Sequence, residues 1–158
     1  GVLLTSVAPD QHRIGVIQGL QCLAIAPTAR FGLLVTGSLR SSSALERGRG
    51  LLETTFGKVE FEEVEGHWTS GEAEKEVGLW LRLGTHRRGN LEVVVSQNDD
   101  MAVGTRAAFA AASVPLPVMI GCDGLPSHGQ QMVKRGELAA TVVMPPRRLW
   151  RWRSWPGP

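Results

Sequence analysis

The stretch VVVSQNDDMAVG, residues 93–104, places three valines directly before a serine and four larger polar side chains. A short run of β-branched residues with no polar interruption is typical of a strand that is buried on both faces. The segment that follows has helical spacing, and Asp99 or Asp100 is expected to cap this helix or to favour its N-terminus. That assignment leaves Asn98 as the better ligand candidate. The stretch therefore predicts a strand, a ligand-facing junction and a helix in succession.

The same order of elements recurs along the chain. A short apolar run is followed by a polar or glycine-bearing turn and then by a segment with helical spacing. The predicted strands are GVLLTS (1–6), FGLLVTG (31–37), KVEFEEVEG (58–66), LEVVVSQ (91–97), LPVMIGCDG (116–124) and LAATVVM (138–144). The predicted helices lie in residues 13–26, 41–56, 69–83, 99–112 and 126–136. This alternation predicts an α/β fold, a doubly wound, Rossmann-like parallel sheet in three α/β/α layers.

Several helix ends carry signals of their own. Two pairs fit the capping box, in which a hydroxyl accepts from the N–H three residues later: Ser43 with Glu46, and Thr69 with Glu72. Pro126 suits the first turn of a helix, and Gly136 suits a helix stop. These signals place the turns between the predicted elements.

Composition restricts the class of protein. With 158 residues, 42% hydrophobic and 20% charged, the chain is long enough for one globular domain with a real core. Cys22 and Cys122 stand too far apart for a metal or redox motif, and we interpret both as small buried hydrophobic residues. The four histidines are scattered, so no metal site and no cofactor site is predicted. No phosphate-binding loop and no catalytic set of nucleophile, base and orienting group is apparent.

The last twelve residues, RRLWRWRSWPGP at 147–158, break the pattern. They hold four arginines and three tryptophans but no acid, so the rest of the chain is formally acidic despite the overall charge of +2. Because the body of the protein is not basic, we expect this chain to bind no nucleic acid. A membrane-surface anchor is one interpretation of the tail. Our preferred hypothesis is a frame slip near Pro146, because the same bases read one position earlier can encode an ordinary amphipathic helix start.

The loops that leave the carboxyl ends of parallel strands meet a common ligand. These loops contain a cation, an aromatic face, an amide and a carboxylate, which are Arg47, Trp68, Asn98 and Asp123. Charged and amide groups can hydrogen-bond adjacent hydroxyls, and an indole can cover the apolar face of a sugar. The set therefore suits a neutral ligand with many hydroxyls. Structural interpretations stay open: Arg47 as a solvated cation, Trp68 as a packing residue, and Asp123 as a turn or capping residue.

Longer stretches of the chain resemble one family. Residues 43–53 (SALERGRGLLE), 93–109 (VVVSQNDDMAVGTRAAF) and 117–146 (PVMIGCDGLPSHGQQMVKRGELAATVVMPP) resemble the type I periplasmic sugar-binding proteins, the ribose-binding-like receptors of ATP-binding-cassette importers. VAPDQHRIGVIQG, residues 7–19, resembles the segment that enters the second lobe. The resemblance covers about residues 5–146. It predicts one α/β lobe at 1–146, with the first lobe missing, and an aberrant tail at 147–158.

The resemblance also implies a function. Such receptors close two lobes on a sugar without chemical change and deliver it to a membrane permease outside the cytoplasm. Matched by position, Arg47 takes the arginine of the second lobe, Asn98 the amide and Asp123 the carboxylate of the family's ligand set, whereas Trp68 aligns more loosely with an aromatic. Met144 stands where ribose-type receptors have glutamine, which leaves the identity of the monosaccharide open. An isolated lobe is expected to bind very weakly.

Two alternatives remain at this stage. The first is the effector-sensing core of a lactose-repressor-type transcription regulator, which shares the fold. The second is an enzyme that uses Asp99, Asp100 and Asp123 as paired carboxylates, as glycosidases do. The glycine after Asp123 and the stretch GELAATVV favour the receptor, because the regulators tend to have a second aspartate and a proline-bearing segment there.

Overall fold

The computed structural model describes residues 9–84 and 90–144, and these ranges contain five strands and five helices. The strands are β1 Phe31–Thr36, β2 Glu60–Glu65, β3 Val93–Ser96, β4 Val118–Asp123 and β5 Ala140–Val143. The helices are α1 Gln11–Ile25, α2 Ser42–Thr55, α3 Ser70–Leu83, α4 Asp99–Ala111 and α5 Gly129–Lys134. Every element predicted within these ranges is present. The strand predicted at 1–6 and the tail at 147–158 lie outside the described residues.

The strands form one parallel sheet in the order β2–β1–β3–β4–β5. From β1 the chain builds outward to β2 on one side and then returns to place β3 on the other. All carboxyl ends therefore meet at one edge of the sheet, and the loops that follow β1 and β3 leave on either side of the point where the winding reverses. The predicted doubly wound parallel sheet is confirmed.

Helices cover both faces of this sheet. α1 packs against α2 on one face, whereas α3 and α4 pack together on the other, where α5 joins them. The three valines of β3 serve both layers: Val94 belongs to the core cluster with α3 and α4, and Val93 and Val95 pack in the cluster that contains Leu51 of α2. Successive side chains of a strand point to opposite faces, so a continuous apolar run is what a central strand needs. The layers are α/β/α, as predicted.

The contact between α1 and α2 depends on glycine. A Cβ atom at Gly15 would overlap the carbonyl oxygen of Arg47, and one at Gly50 would overlap the carbonyl oxygen of His12. The two helices therefore approach each other backbone to backbone at these points. This close approach brings the first turns of α1 beside the part of α2 that carries Arg47.

The predicted helix starts are partly confirmed. α3 begins after Thr69, whose hydroxyl oxygen accepts a hydrogen bond from the Glu72 N–H at 3.3 Å. The prediction for Ser43 is wrong, because α2 begins at Ser42 and its N-cap is Ser41. A backbone turn in which the Ser41 N–H donates to the carbonyl of residue 38 sets this start two residues early. Residues 41–43 are all serine, so residue type alone could not show which of them is the N-cap.

The last helix begins later than predicted and ends as predicted. Pro126 lies before α5, since a turn over residues 125–128 holds the N–H groups of His128 and Gln130 on the carbonyl oxygen of Leu125. Gly136 follows the helix with φ of +71°, a left-handed conformation that glycine adopts without strain. The helix stop predicted at Gly136 is therefore confirmed, and the helix start predicted at Pro126 is wrong.

Both cysteines are buried free thiols, as predicted. Burial raises the pKa of Cys22 to about 11 and that of Cys122 to about 12, so both thiols are protonated at neutral pH. Within the described ranges, no helix combines the length and the apolar character that crossing a bilayer demands.

The glycine contact gives a stability test. Gly50→Ala should lower the free energy of unfolding by about 1–3 kcal/mol, because the new methyl group must separate α1 from α2. Gly78→Ala is the matched control on α3, where a Cβ atom meets only the flexible end of Arg82 at 3.6 Å. The control should raise stability by about 0.5–1 kcal/mol through helix propensity. Urea denaturation of both variants measures the contrast, and equal effects would contradict the packing described.

Candidate functional site

The four predicted ligand residues lie at the carboxyl edge of the sheet. Arg47 stands in the second turn of α2, Trp68 lies between β2 and α3, Asn98 follows β3, and Asp123 ends β4. The Arg47 guanidinium carbon is 5.4 Å from the centroid of the Trp68 ring. The Asn98 side-chain N–H donates to the carbonyl oxygen of Trp68 at 3.1 Å. The structure therefore brings these four residues together at the carboxyl edge of the sheet, which forms the rim of the candidate site. Arg47 and Asp123 are 76 positions apart in the sequence.

Arg47 is a buried cation with a fixed orientation. Only 7% of the residue is exposed, so the solvated-cation interpretation is wrong. Its Nε–H donates to Oε1 of Gln11 at 2.6 Å, and Nη1 donates to the carbonyl oxygen of Gln97. The guanidinium carbon lies over the Trp68 ring at a distance that allows a favourable cation–π interaction. Within the described residues Nη2 has no hydrogen-bond partner, so the outer end of the fork can still donate.

Trp68 is held in an unusual backbone conformation. His67 and Trp68 have φ values of +51° and +69°, which non-glycine residues adopt rarely and at a cost. The indole lies against Gly37, where a Cβ atom would overlap the ring. The backbone N–H of Trp68 contacts Sδ of Met101 at 3.3 Å. The ring is therefore half-buried between fixed neighbours, which suits a rigid stacking surface.

Asn98, and neither aspartate, caps the helix after β3. Its Oδ1 accepts from the Met101 N–H at 2.8 Å, and α4 begins at Asp99. Capping by Asp99 or Asp100 is therefore wrong, but the alternative prediction, that these acids favour the helix N-terminus, is confirmed, because both lie in the first turn near the positive helix end. Asn98 still has one N–H and one lone pair uncommitted, since a carboxamide offers two of each. A role in capping thus leaves room for a role in binding.

Asp123 carries a perturbed carboxyl group. Burial raises its pKa to about 6, with a further rise from nearby Asp99, while the Arg47 guanidinium and His128 oppose the shift. Its φ of +105° lies in the left-handed half of conformational space, where a side chain is strained. Within the described residues Asp123 makes no ion pair with Arg47. Both groups therefore keep hydrogen-bonding capacity for a third partner.

Sequence reasoning missed the residues that hold this rim together. Gln97, which is fully buried, accepts from the Gly37 N–H at 2.9 Å and donates to the Ala44 carbonyl oxygen at 2.9 Å. These two bonds tie the loop after β1 and the first turn of α2 to the end of β3. Gln97 thereby fixes the start of the helix that carries Arg47.

Asp99 and Asp100 tie down the remaining loops. Asp99, 1% exposed, accepts from the Gly124 N–H and from the Thr141 hydroxyl, each at 2.8 Å. Asp100 accepts from the Ser70 N–H at 2.7 Å, at the start of α3. The position of these acids directly after a buried strand was a usable signal, but the partners lie up to 42 residues away and no local pattern identifies them.

Among the described residues, Asp99 is a second acid close to Asp123. Burial raises the pKa of Asp99, while its hydrogen bonds from Thr141 and Gly124 oppose the rise. With both carboxyl oxygens engaged inside the fold, Asp99 does not reach the rim beside Asp123. Across residues 9–84 and 90–144, no cluster of three or more His, Cys, Asp or Glu side chains could hold a metal ion.

A parallel sheet that gathers a cation, an indole, an amide and a carboxyl at one edge is an α/β fold of the kind in which ligands meet the carboxyl ends of the strands. A family model described as periplasmic binding protein domain matches residues 3–153, and the chain belongs to that family. The resemblance to the type I sugar-binding proteins is thereby confirmed at the level of the family.

Two curated relatives illustrate the match. The D-galactose/methyl-galactoside binding periplasmic protein of Haemophilus influenzae is 37% identical over 78 residues, which are 49% of this chain and 22% of that protein. The ribose import binding protein of Salmonella typhimurium is 27% identical over 149 residues, which are 94% of this chain and 49% of that protein. The chain thus spans about half the length of the Salmonella protein, and its match to the Haemophilus protein covers a smaller part of that protein.

Solved structures agree on the fold. The fructose binding periplasmic domain of a hybrid two component system has a TM-score of 0.79 at 26% identity, covering 88% of this chain and 47% of that one. The periplasmic binding protein component of the arabinose ABC transporter from Shewanella sp. ANA-3 has a TM-score of 0.81 at 19% identity, covering 96% of this chain and 55% of that one. The α/β fold of this chain is therefore shared with these two structures.

The raised pKa of Asp123 gives a pH test. The folded state binds its proton more tightly than the unfolded chain does, so this group weakens stability progressively as pH rises from about 3.8 to about 6. Asp123→Asn should match the natural chain in stability near pH 4, exceed it increasingly up to about pH 6 and keep a constant advantage above that pH. Urea denaturation across this range measures the difference. Glu74→Gln, which removes an exposed carboxylate, is the control and should show no such trend; a flat difference for Asp123→Asn would contradict the burial described.

Proposed function

We propose that this chain is a sugar-binding lobe of an ATP-binding-cassette import receptor and that it holds a monosaccharide at the carboxyl edge of its sheet. The observation that carries the proposal is the buried Arg47 guanidinium, fixed over the Trp68 ring with its outer end still able to donate. Both curated relatives described above are named for sugars. The residues at the rim are those that a polyhydroxylated ligand requires.

The chemistry of recognition follows from these groups. The part of the Trp68 indole that Gly37 and Arg47 leave exposed can contact the C–H groups of a sugar ring. The Nη2 group of Arg47 and the Asp123 carboxylate can bind neighbouring hydroxyls in charge-assisted hydrogen bonds, one as donor and the other as acceptor. Asn98 can supply one donor and one acceptor. These interactions fix orientation and need no bond making.

We propose that residues 1–146 form one lobe of two and that the sugar is enclosed when the lobes close. The closed receptor would then deliver the sugar to a membrane permease outside the cytoplasm. One lobe leaves the opposite face of the sugar in water, so this chain should bind with a dissociation constant on the order of millimolar or weaker. The tail at 147–158 keeps its interpretation as a frame slip.

The other candidate functions have less support. An enzyme with paired carboxylates would need a second acid at the rim, but Asp99 is engaged by Gly124 and Thr141 inside the fold. Asp100 accepts from the start of α3. The regulator interpretation is not favoured either, because the curated relatives described above are a binding protein and an import protein.

A sugar titration tests the proposal. D-ribose, D-galactose and L-arabinose are added to the ¹⁵N-labelled chain while amide and indole cross-peaks are followed by NMR. The cross-peaks of Trp68, Asn98 and Gly124 should shift with at least one sugar. Arg47→Lys should weaken binding by about tenfold, because an ammonium cannot reproduce the bond to Gln11 together with an outer donor.

Arg49→Lys provides the matched control. Arg49 lies two residues further along α2, is exposed and pairs only with Glu46 and Glu53 on the helix surface among the described residues. It should leave the sugar response unchanged. Equal effects of the two variants, shifts confined to another face of the lobe, or micromolar affinity of the isolated chain would each contradict the proposal.

A further inference from the structure

The sheet opens between β3 and β4 just before its carboxyl edge. These two strands stay paired only as far as Val95 and Ile120. The neighbouring ladders continue further, since β1 pairs with β3 up to Ser96 and β4 pairs with β5 up to Asp123. Backbone groups freed by such an opening must find other partners when they are buried. The question is what occupies the gap.

The side chain of Gln18 binds both strands at this opening. This residue of α1 is 0% exposed, and its Nε2 donates to the carbonyl oxygens of Ser96 at 2.8 Å and Gly121 at 3.1 Å. One amide nitrogen with two hydrogens thus satisfies one carbonyl group on each strand without introducing a charge. Its Oε1 is buried without a partner among the described residues, an unfavourable arrangement that an apolar side chain would avoid.

Arg47 contacts both strands one residue closer to their carboxyl ends. Its Nη1 contacts the carbonyl oxygen of Gln97 and, at 3.6 Å, Sγ of Cys122. Gln97 and Cys122 each follow directly the residue that Gln18 binds. The two side chains therefore contact consecutive residues at the ends of β3 and β4: the Gln18 amide binds Ser96 and Gly121, and the Arg47 guanidinium contacts Gln97 and Cys122.

We propose that Gln18 is a positioning residue for the sugar site: it keeps β3 and β4 apart so that Arg47 can lie between Gln97 and Cys122. The inference rests on the proposed function, in which Arg47 contacts the ligand. Gln18 itself does not reach the rim. Among the described residues, Gln18 is the only neutral side chain that binds both strand ends. Without it, the Arg47 guanidinium is no longer held in position.

A measurement without sugar tests this role. Gln18→Met keeps the length of the side chain but removes both N–H donors. The Nε–H cross-peak of Arg47 is assigned by its loss in Arg47→Lys, and its exchange with water is followed by NMR. Exchange should accelerate by about tenfold in Gln18→Met, because the bond from Nε to Gln11 depends on the seated guanidinium.

Gln21→Met is the control variant. Gln21 lies three residues along α1, also has a buried Oε1 without a partner, and makes no hydrogen bond to β3 or β4 within the described ranges. It should leave Arg47 exchange unchanged. Urea denaturation of both variants separates a local effect from a general loss of stability.

The outcomes separate the two proposals. Unchanged Arg47 exchange in Gln18→Met, even with lowered stability, would overturn the positioning role and leave the sugar titration unaffected. Should Gln18→Met fail to fold, Gln18→Asn retains the amide but withdraws it by one methylene. That variant should show faster exchange than the natural chain, and unchanged exchange would equally overturn the proposal.

Discussion

The geometry of the rim depends on four consecutive side chains that leave the end of β3. Gln97 binds the loop after β1, Asn98 binds the carbonyl of Trp68 after β2, Asp99 binds the loop after β4, and Asp100 binds the start of α3. Because β3 is the central strand, these side chains together reach the connections that follow β1, β2 and β4. Loops that would otherwise move independently are thereby fixed to one rigid strand end. A binding site assembled from several loops needs such a common anchor.

The site also balances opposite charges without pairing them directly. Arg47 is buried, yet its hydrogen bonds go to an amide oxygen and a carbonyl oxygen, and its guanidinium carbon lies over an indole ring. Asp123 lies close enough for its pKa to respond to Arg47, but burial dominates and raises that pKa. A direct salt bridge would satisfy both groups and leave little for a ligand. Keeping them apart holds a donor and an acceptor ready at the rim.

Much of this architecture was readable from the sequence, for a physical reason. Strand and helix positions follow from apolar runs and their spacing, and a parallel sheet brings strand ends to one edge whatever the side chains are. Trp68 and Asp123 could thus be placed at the rim from their position after a strand. The family resemblance added the expectation that these residues act together.

What the sequence could not supply was the long-range pairing of polar groups. The capping role fell to Asn98 because Asp99 turns inward to Gly124, a partner 25 residues away. The burial of Arg47 depends on Gln97 and Cys122, and the support from Gln18 spans 78 and 103 residues to its two carbonyl partners. Such contacts leave no periodic signal. They arise only once the strands have set the distances.

A crystal structure of this chain grown with D-ribose, D-galactose or L-arabinose tests most directly the central claim that a monosaccharide binds at the rim. The account predicts the sugar ring against the exposed part of the Trp68 indole, with its hydroxyls within about 3.2 Å of polar atoms of Arg47, Asn98 and Asp123. A sugar bound at another surface, or one at the rim that Arg47 and Asp123 do not touch, would contradict it.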